Sequence, residues 1–102
     1  MSPFFDYNAD VITTVELTKQ AMKDLKKVPL YIQVKFQRWL EDVEMRGIEE
    51  VRKVPGYHDE PLRGDHNGQR SIRLSQAYRA FYRIANGEIE LIEVLEVNKH
   101  EY

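Results

Sequence analysis

The spacing of apolar residues along the chain shifts from two to nearly four and back to two, and these shifts divide it into elements. In VITTVELT, residues 11–18, β-branched residues crowd the start and Val15 and Leu17 flank Glu16, the alternation of a half-buried strand. From Lys19 the spacing lengthens. Ala21, Met22, Leu25 and Val28 form a helical stripe, with Thr18 placed as an N-cap and Pro29 as the interruption. A second helix is predicted over LYIQVKFQRWLEDVEMRG, where Ile32, Phe36, Trp39, Leu40 and Val43 share one face and Gly47 supplies the stop. IEEVRKV suits a short third helix, whereas PGYHDEPLRGDHNG reads as loop until about Leu62. Beyond it QRSIRLS, AYRAFYRIA and IELIEVLEV are each of strand length, and ANGE between the last two is a hairpin signal. The pattern predicts an α+β fold of order β-α-α-β-β-β. Its antiparallel sheet packs on an N-terminal helical hairpin, with the first strand at a sheet edge.

Alternation also sorts side chains onto faces. Tyr78, Ala80, Tyr82 and Ile84 fall on one face of their strand, and Arg79, Phe81 and Arg83 on the other. Arg70, Ile72 and Leu74 share a face of the preceding strand, opposite Ser71 and Arg73. Strict alternation therefore separates the arginines, and Arg73 with Arg79 is the pair expected to converge on the open side. Charge sharpens this. The formal net charge is −2, yet residues 62–85 carry five arginines against the single acid Asp65, and GEIELIEVLEVNKHEY carries five glutamates. Arginine forks bind two phosphate oxygens at once, and neighbouring aromatic rings can stack unpaired bases, so the basic stretch suits single-stranded RNA. The same residues also fit an ordinary core whose arginines pair with the glutamates of the last strand.

With 102 residues, 42% of them hydrophobic, residues 1–102 are expected to form one domain, with 1–10 an extension that is either flexible or in contact with a partner. There is no cysteine, which excludes disulfides and thiolate sites. MSPFFDYNAD has neither the basic region nor the apolar run of a signal peptide, and no later run approaches membrane-spanning length, so a cytoplasmic protein without membrane contact is expected. Three histidines are the side chains that titrate near neutrality. His58 and His66 lie in turn-like segments and His100 follows the last strand. They lack the close spacing of a metal site, and no glycine-rich phosphate loop is present.

Three segments, VELTKQAMKDLKKVP, PLRGDHNGQRSIRLSQAYRAFYRI and LIEVLEVNKHEY, resemble the RelE/HigB group of bacterial toxin–antitoxin ribonucleases in the same order and spacing, from Val11 onwards. The resemblance implies a RelE-like fold and a cofactor-free, metal-independent mRNA interferase. Such a toxin cuts message in the ribosomal A site, is neutralised by a cognate antitoxin and owes its oligomeric state to that antitoxin. Position by position it implies Arg73, Arg79, His100 and Tyr102 as catalytic residues, with Tyr78 the partner of Arg79 in a Tyr-Arg pair. Arg70, His66, Arg63 and Tyr78 rank next, for contact with RNA. The same superfamily holds ParE-like toxins, which act on DNA gyrase without cutting RNA, and an inactive antitoxin-binding homologue is the further alternative.

If His100 transfers a proton, His100→Ala abolishes growth arrest in an induced culture while circular dichroism shows the protein still folded. Undiminished arrest removes His100 from the mechanism.

Overall fold

A computed structural model describes residues 11–97. Strand β1 (Val15–Leu17) leads into α1 (Lys19–Lys27) and α2 (Leu30–Arg46), followed by a single turn, α3 (Ile48–Val51). Strands β2 (Glu60–Pro61), β3 (Arg70–Arg73), β4 (Tyr78–Ala85) and β5 (Glu88–Glu96) complete one sheet of order β1-β5-β4-β3-β2. Among the described residues, no helix is long and apolar enough to cross a membrane.

The two long helices form where their stripes fall. Thr18 caps α1 by accepting from the Ala21 N–H at 3.0 Å, and Val28 ends the helix in extended backbone, as a residue preceding proline favours. Ile32, Phe36, Trp39 and Val43 of α2 are buried against Ile72, Ala80, Tyr82, Ile89 and Leu91 of the sheet. Of the α1 stripe, Ala21 and Val28 are buried and Leu25 is partly so, but Met22 lies at the edge of the face and is exposed.

The sheet departs from the expected one in two ways. It is mixed, because β1 runs parallel to β5, with Val15 opposite Ile89 and Leu17 opposite Leu91, while every other pair is antiparallel. It also gains β2, whose Glu60 pairs with Ser71 and Pro61 with Arg70. Asn86 and Gly87 both take positive φ, at 56° and 77°, as the predicted two-residue hairpin requires.

Strand β5 contains one residue more than β4 can match. Phe81 pairs with Glu93 and Tyr82 with Leu91, so Ile92 has no opposite number. This bulge lets Ile89, Leu91 and Val94 all face the helices, which strict alternation forbids. Beyond Leu91 the β5 edge has lost β1 as a neighbour, and α1 takes its place. The Thr18 hydroxyl donates to the Ile92 carbonyl at 2.7 Å, and Asp24 accepts from the Val94 N–H at 2.9 Å. Backbone groups that would otherwise be orphaned are thereby satisfied.

Gly47 joins α2 to α3 at φ 85° and ψ 155°, a region open essentially to glycine alone, and a Cβ there would lie 2.5 Å from Val11 Cγ1. The same junction is tied to the chain's start by the Ile48 N–H, which donates to the Ile12 carbonyl. Gly47→Ala is therefore expected to lower the unfolding free energy by about 1–3 kcal/mol, read as a fall in the urea midpoint. An unchanged midpoint contradicts the packing described.

Candidate functional site

The cross-strand register brings Arg73 and Arg79 directly opposite one another on the sheet face turned away from the helices. Ser71 and Phe81 lie on that face as the next pair along, and Glu60 of β2 stands opposite Ser71. Arg79 donates to the buried Ser71 hydroxyl at 2.9 Å, which fixes its guanidinium, and its other terminal nitrogen lies 3.8 Å from Glu60 Oε1. Arg73 reaches within 3.4 Å of His58 Nε2, and since a guanidinium has only donors, that nitrogen is placed to accept. Beside Arg73 a cleft of about 220 Å³ opens toward α2, lined by Lys35, Arg38 and Tyr57 among others, so the positive field continues past the pair.

The loop carrying His58 is held at both sides. Tyr57 ends a short 3₁₀ turn and donates to Asp42 Oδ2 at 3.0 Å. Its phenol is pushed up to about 12, chiefly by burial and then by that hydrogen bond and the Asp42 charge. Asp42 is itself held below its usual range, first by the hydrogen bond from Arg46. His58 follows with φ 46°, a left-handed conformation uncommon for a residue with a side chain. On its far side the Asp59 side chain is fully buried and accepts from Arg70 Nε and from the Tyr82 hydroxyl. Burial, followed by the bond to Asp59, raises the Tyr82 phenol well above its ordinary value.

The residues singled out from sequence therefore separate. Arg73 and Arg79 come together as expected. Arg83 is paired with Glu90 at 2.6 Å, the ordinary ion-pair reading. Arg70 is turned to the helix side and engaged by Asp59, away from the arginine pair. Tyr78 packs against the core on that same helix side, leaving Arg79 alone of the Tyr-Arg pair on the open face. Arg63 and His66 are exposed in the turn linking β2 to β3, beyond the Arg70 end of the strand. The length of β3 from Arg70 to Arg73, roughly 10 Å of extended chain, separates that turn from Arg73. His100 and Tyr102 lie outside the described residues. Among the described residues, no three His, Asp or Glu side chains gather as a metal site. Glu60 and His58 join the site from a segment that the sequence pattern reads as loop. Both sit in HDEP, a polar stretch with no alternation to mark it as extended.

Residues 15–101 match the family model described as ParE toxin of type II toxin-antitoxin system, parDE. No curated protein matches the chain. Among solved structures it is similar to the toxin–antitoxin complex RelBE2 from Mycobacterium tuberculosis, with 26% identity, a TM-score of 0.62 and coverage of 84% of this chain and 99% of that one. The RelB–RelE antitoxin–toxin complex from Methanococcus jannaschii aligns at 21% identity and TM-score 0.64 over 78% of this chain and 87% of that one. The heterotetrameric YoeB–YefM complex from Staphylococcus aureus aligns at 16% identity and TM-score 0.63, covering 83% and 95%.

Because Tyr57 is neutral in its bond to Asp42 and its ionisation is raised, the stabilisation it gives is complete below the free phenol's value near pH 10 and is lost as pH climbs through about 12. An alkaline absorbance titration should show a tyrosine step near pH 12 that Tyr57→Phe removes. A step that survives the substitution belongs to another residue.

Proposed function

This chain belongs to the ParE toxin family of type II toxin–antitoxin systems, within the RelE/ParE superfamily that its sequence resembles, and from that premise we propose that it is a metal-independent endoribonuclease that blocks translation by cutting mRNA in the ribosomal A site. The observation that carries this reading is the directly opposed pair Arg73 and Arg79, flanked by His58 and Glu60 on an open sheet face. Like charges set opposite one another oppose folding, and a phosphate between them reverses that cost.

In the proposed reaction a ribose 2′-OH attacks its adjacent phosphorus, forming a cyclic phosphate and breaking the bond to the 5′-oxygen. A base takes the 2′-OH proton and an acid returns one to the departing oxygen. Arg73 and Arg79 bind the non-bridging oxygens, whose charge grows in the transition state. His58 and Glu60 join His100 as groups for proton transfer, with Tyr102 orienting the reacting atoms. Val97 donates its N–H to the Ala77 carbonyl beside the start of β4, and His100 is three residues further on, a reach of roughly 10 Å. Arg63 and His66 serve RNA or ribosomal contact from the exposed turn. A cognate antitoxin, acidic and folding as it binds, covers the basic cluster and sets the oligomeric state, and toxin and target meet in the cytoplasm.

The family model's ParE name favours one second reading, a toxin that acts on DNA gyrase without cutting RNA. Primer extension on a reporter mRNA in a purified translation system separates the two. The nuclease gives breaks at codon positions only while ribosomes translate, and Arg73→Ala and Arg79→Ala each lower cleavage by about 100-fold or more. Absence of breaks with a folded, antitoxin-free protein, together with inhibition of gyrase supercoiling, establishes the second reading instead.

A further inference from the structure

Asp59 stands between two residues that face the open cluster, while its own side chain is turned the other way. Its carboxylate is fully buried, yet no lysine or arginine of the cluster touches it. Its partners are Arg70, which has an exposure of 25%, and the Tyr82 hydroxyl on a fully buried ring. That ring packs at a tilt against Trp39 of α2, with centroids 5.7 Å apart, and is thereby held in the core. Since neighbouring side chains of extended backbone point to opposite faces, burying Asp59 turns Glu60 outward to Arg79, where it is 58% exposed and 3.8 Å away. On the other side, the Tyr57 bond to Asp42 ties the loop to α2, and His58 lies at positive φ between the two anchors.

We propose that Asp59 is a positioning residue: its buried bonds to Arg70 and Tyr82 fix the His58–Asp59–Glu60 segment so that His58 and Glu60 meet the arginine pair. Arg70 thereby acts through the core and not on RNA. The inference deepens the ribonuclease reading and rests on it for its kinetic consequence, while its geometric consequence stands independently. Asp59→Asn keeps the shape but removes the charge, so the partly buried Arg70 loses its ion pair, and the bond to the Tyr82 hydroxyl is reversed or broken. Tyr82→Phe removes the other partner's donor with the ring still in place.

The test uses the full chain with either substitution, held well below its unfolding midpoint. The His58 imidazole signals are followed by NMR, and cleavage of ribosome-bound message is resolved into kcat and KM. Expected are His58 signals displaced toward those of a free histidine with loss of the contact to Arg73, and a kcat lowered by about 100-fold at a KM unchanged within about threefold. Tyr82→Phe gives the same changes in smaller degree, and it carries the test if Asp59→Asn does not fold. Unmoved His58 signals with a normal kcat overturn the proposal, as does an activity loss that tracks unfolding and recovers on cooling. A native protein that cuts no RNA removes the ribonuclease reading alone. Displaced His58 signals in Asp59→Asn then still support the positioning role, and unmoved ones still overturn it.

Discussion

A single carboxylate buried under a small sheet organises much of what surrounds it. Taking Asp59 out of water is costly, and the arrangement holds because a guanidinium and a phenol meet its two oxygens. Those partners come from adjacent strands, β3 and β4, while Asp59 arrives from a loop, so the three converge only once the sheet has formed. The polar bridge gives the edge of the sheet a definite place for β2, which with two residues has almost no ladder of its own. The loop ahead of it acquires a fixed shape in the same step.

This division of labour explains why a basic stretch yields one compact site and not a diffuse patch. Of the arginines in β3 and β4, one is committed to the buried acid and another to Glu90, and the remaining two face each other. Ser71, buried on the open face, anchors Arg79. The open face is thus graded along its width, cationic at β3 and the start of β4 and anionic along β5, where Glu88, Glu90 and Glu93 share the open side. A polyanion approaching that face meets attraction at one edge and repulsion at the other, which orients it before any contact forms.

How much of this could be read from the chain depended on range. The helical hairpin, the three long strands and the Asn86–Gly87 turn are local patterns, and the faces of β4 followed from alternation alone. The convergence of Arg73 with Arg79 followed too, because a hairpin fixes its own register. Two features resisted because they join segments far apart in sequence. Nothing in Val15–Leu17 specifies a parallel neighbour across more than seventy residues. The two residues of β2 are too few to show any period. A clue to the second was present: Arg70 shared a face with Ile72 and Leu74, and a guanidinium on a core face requires an acid brought to it from elsewhere. HDEP, taken as loop, contained that acid. His58 and Glu60 were undervalued for the same reason, since their importance comes from what Asp59 does between them.

The unmatched Ile92 sets the parity of the last strand. On its N-terminal side odd-numbered residues face the helices, as Ile89 and Leu91 do; on its C-terminal side Val94 does, and Leu95 is turned to the open face opposite Arg79. Val94, Leu95 and Glu96 all inherit that half-turn. Were Ile92 to pair in strict alternation and not bulge, Glu93 would turn to the helices, Val94 to the open face and Leu95 inward. In alignments of related chains, a one-residue gap at this position is therefore the loss of the bulge with Val94 still inward and Leu95 still on the open face, whereas a gap elsewhere in β5 exchanges the faces. Thr18 and Asp24, which bind the Ile92 carbonyl and the Val94 N–H from α1, are the counterparts by which the first helix reads that parity.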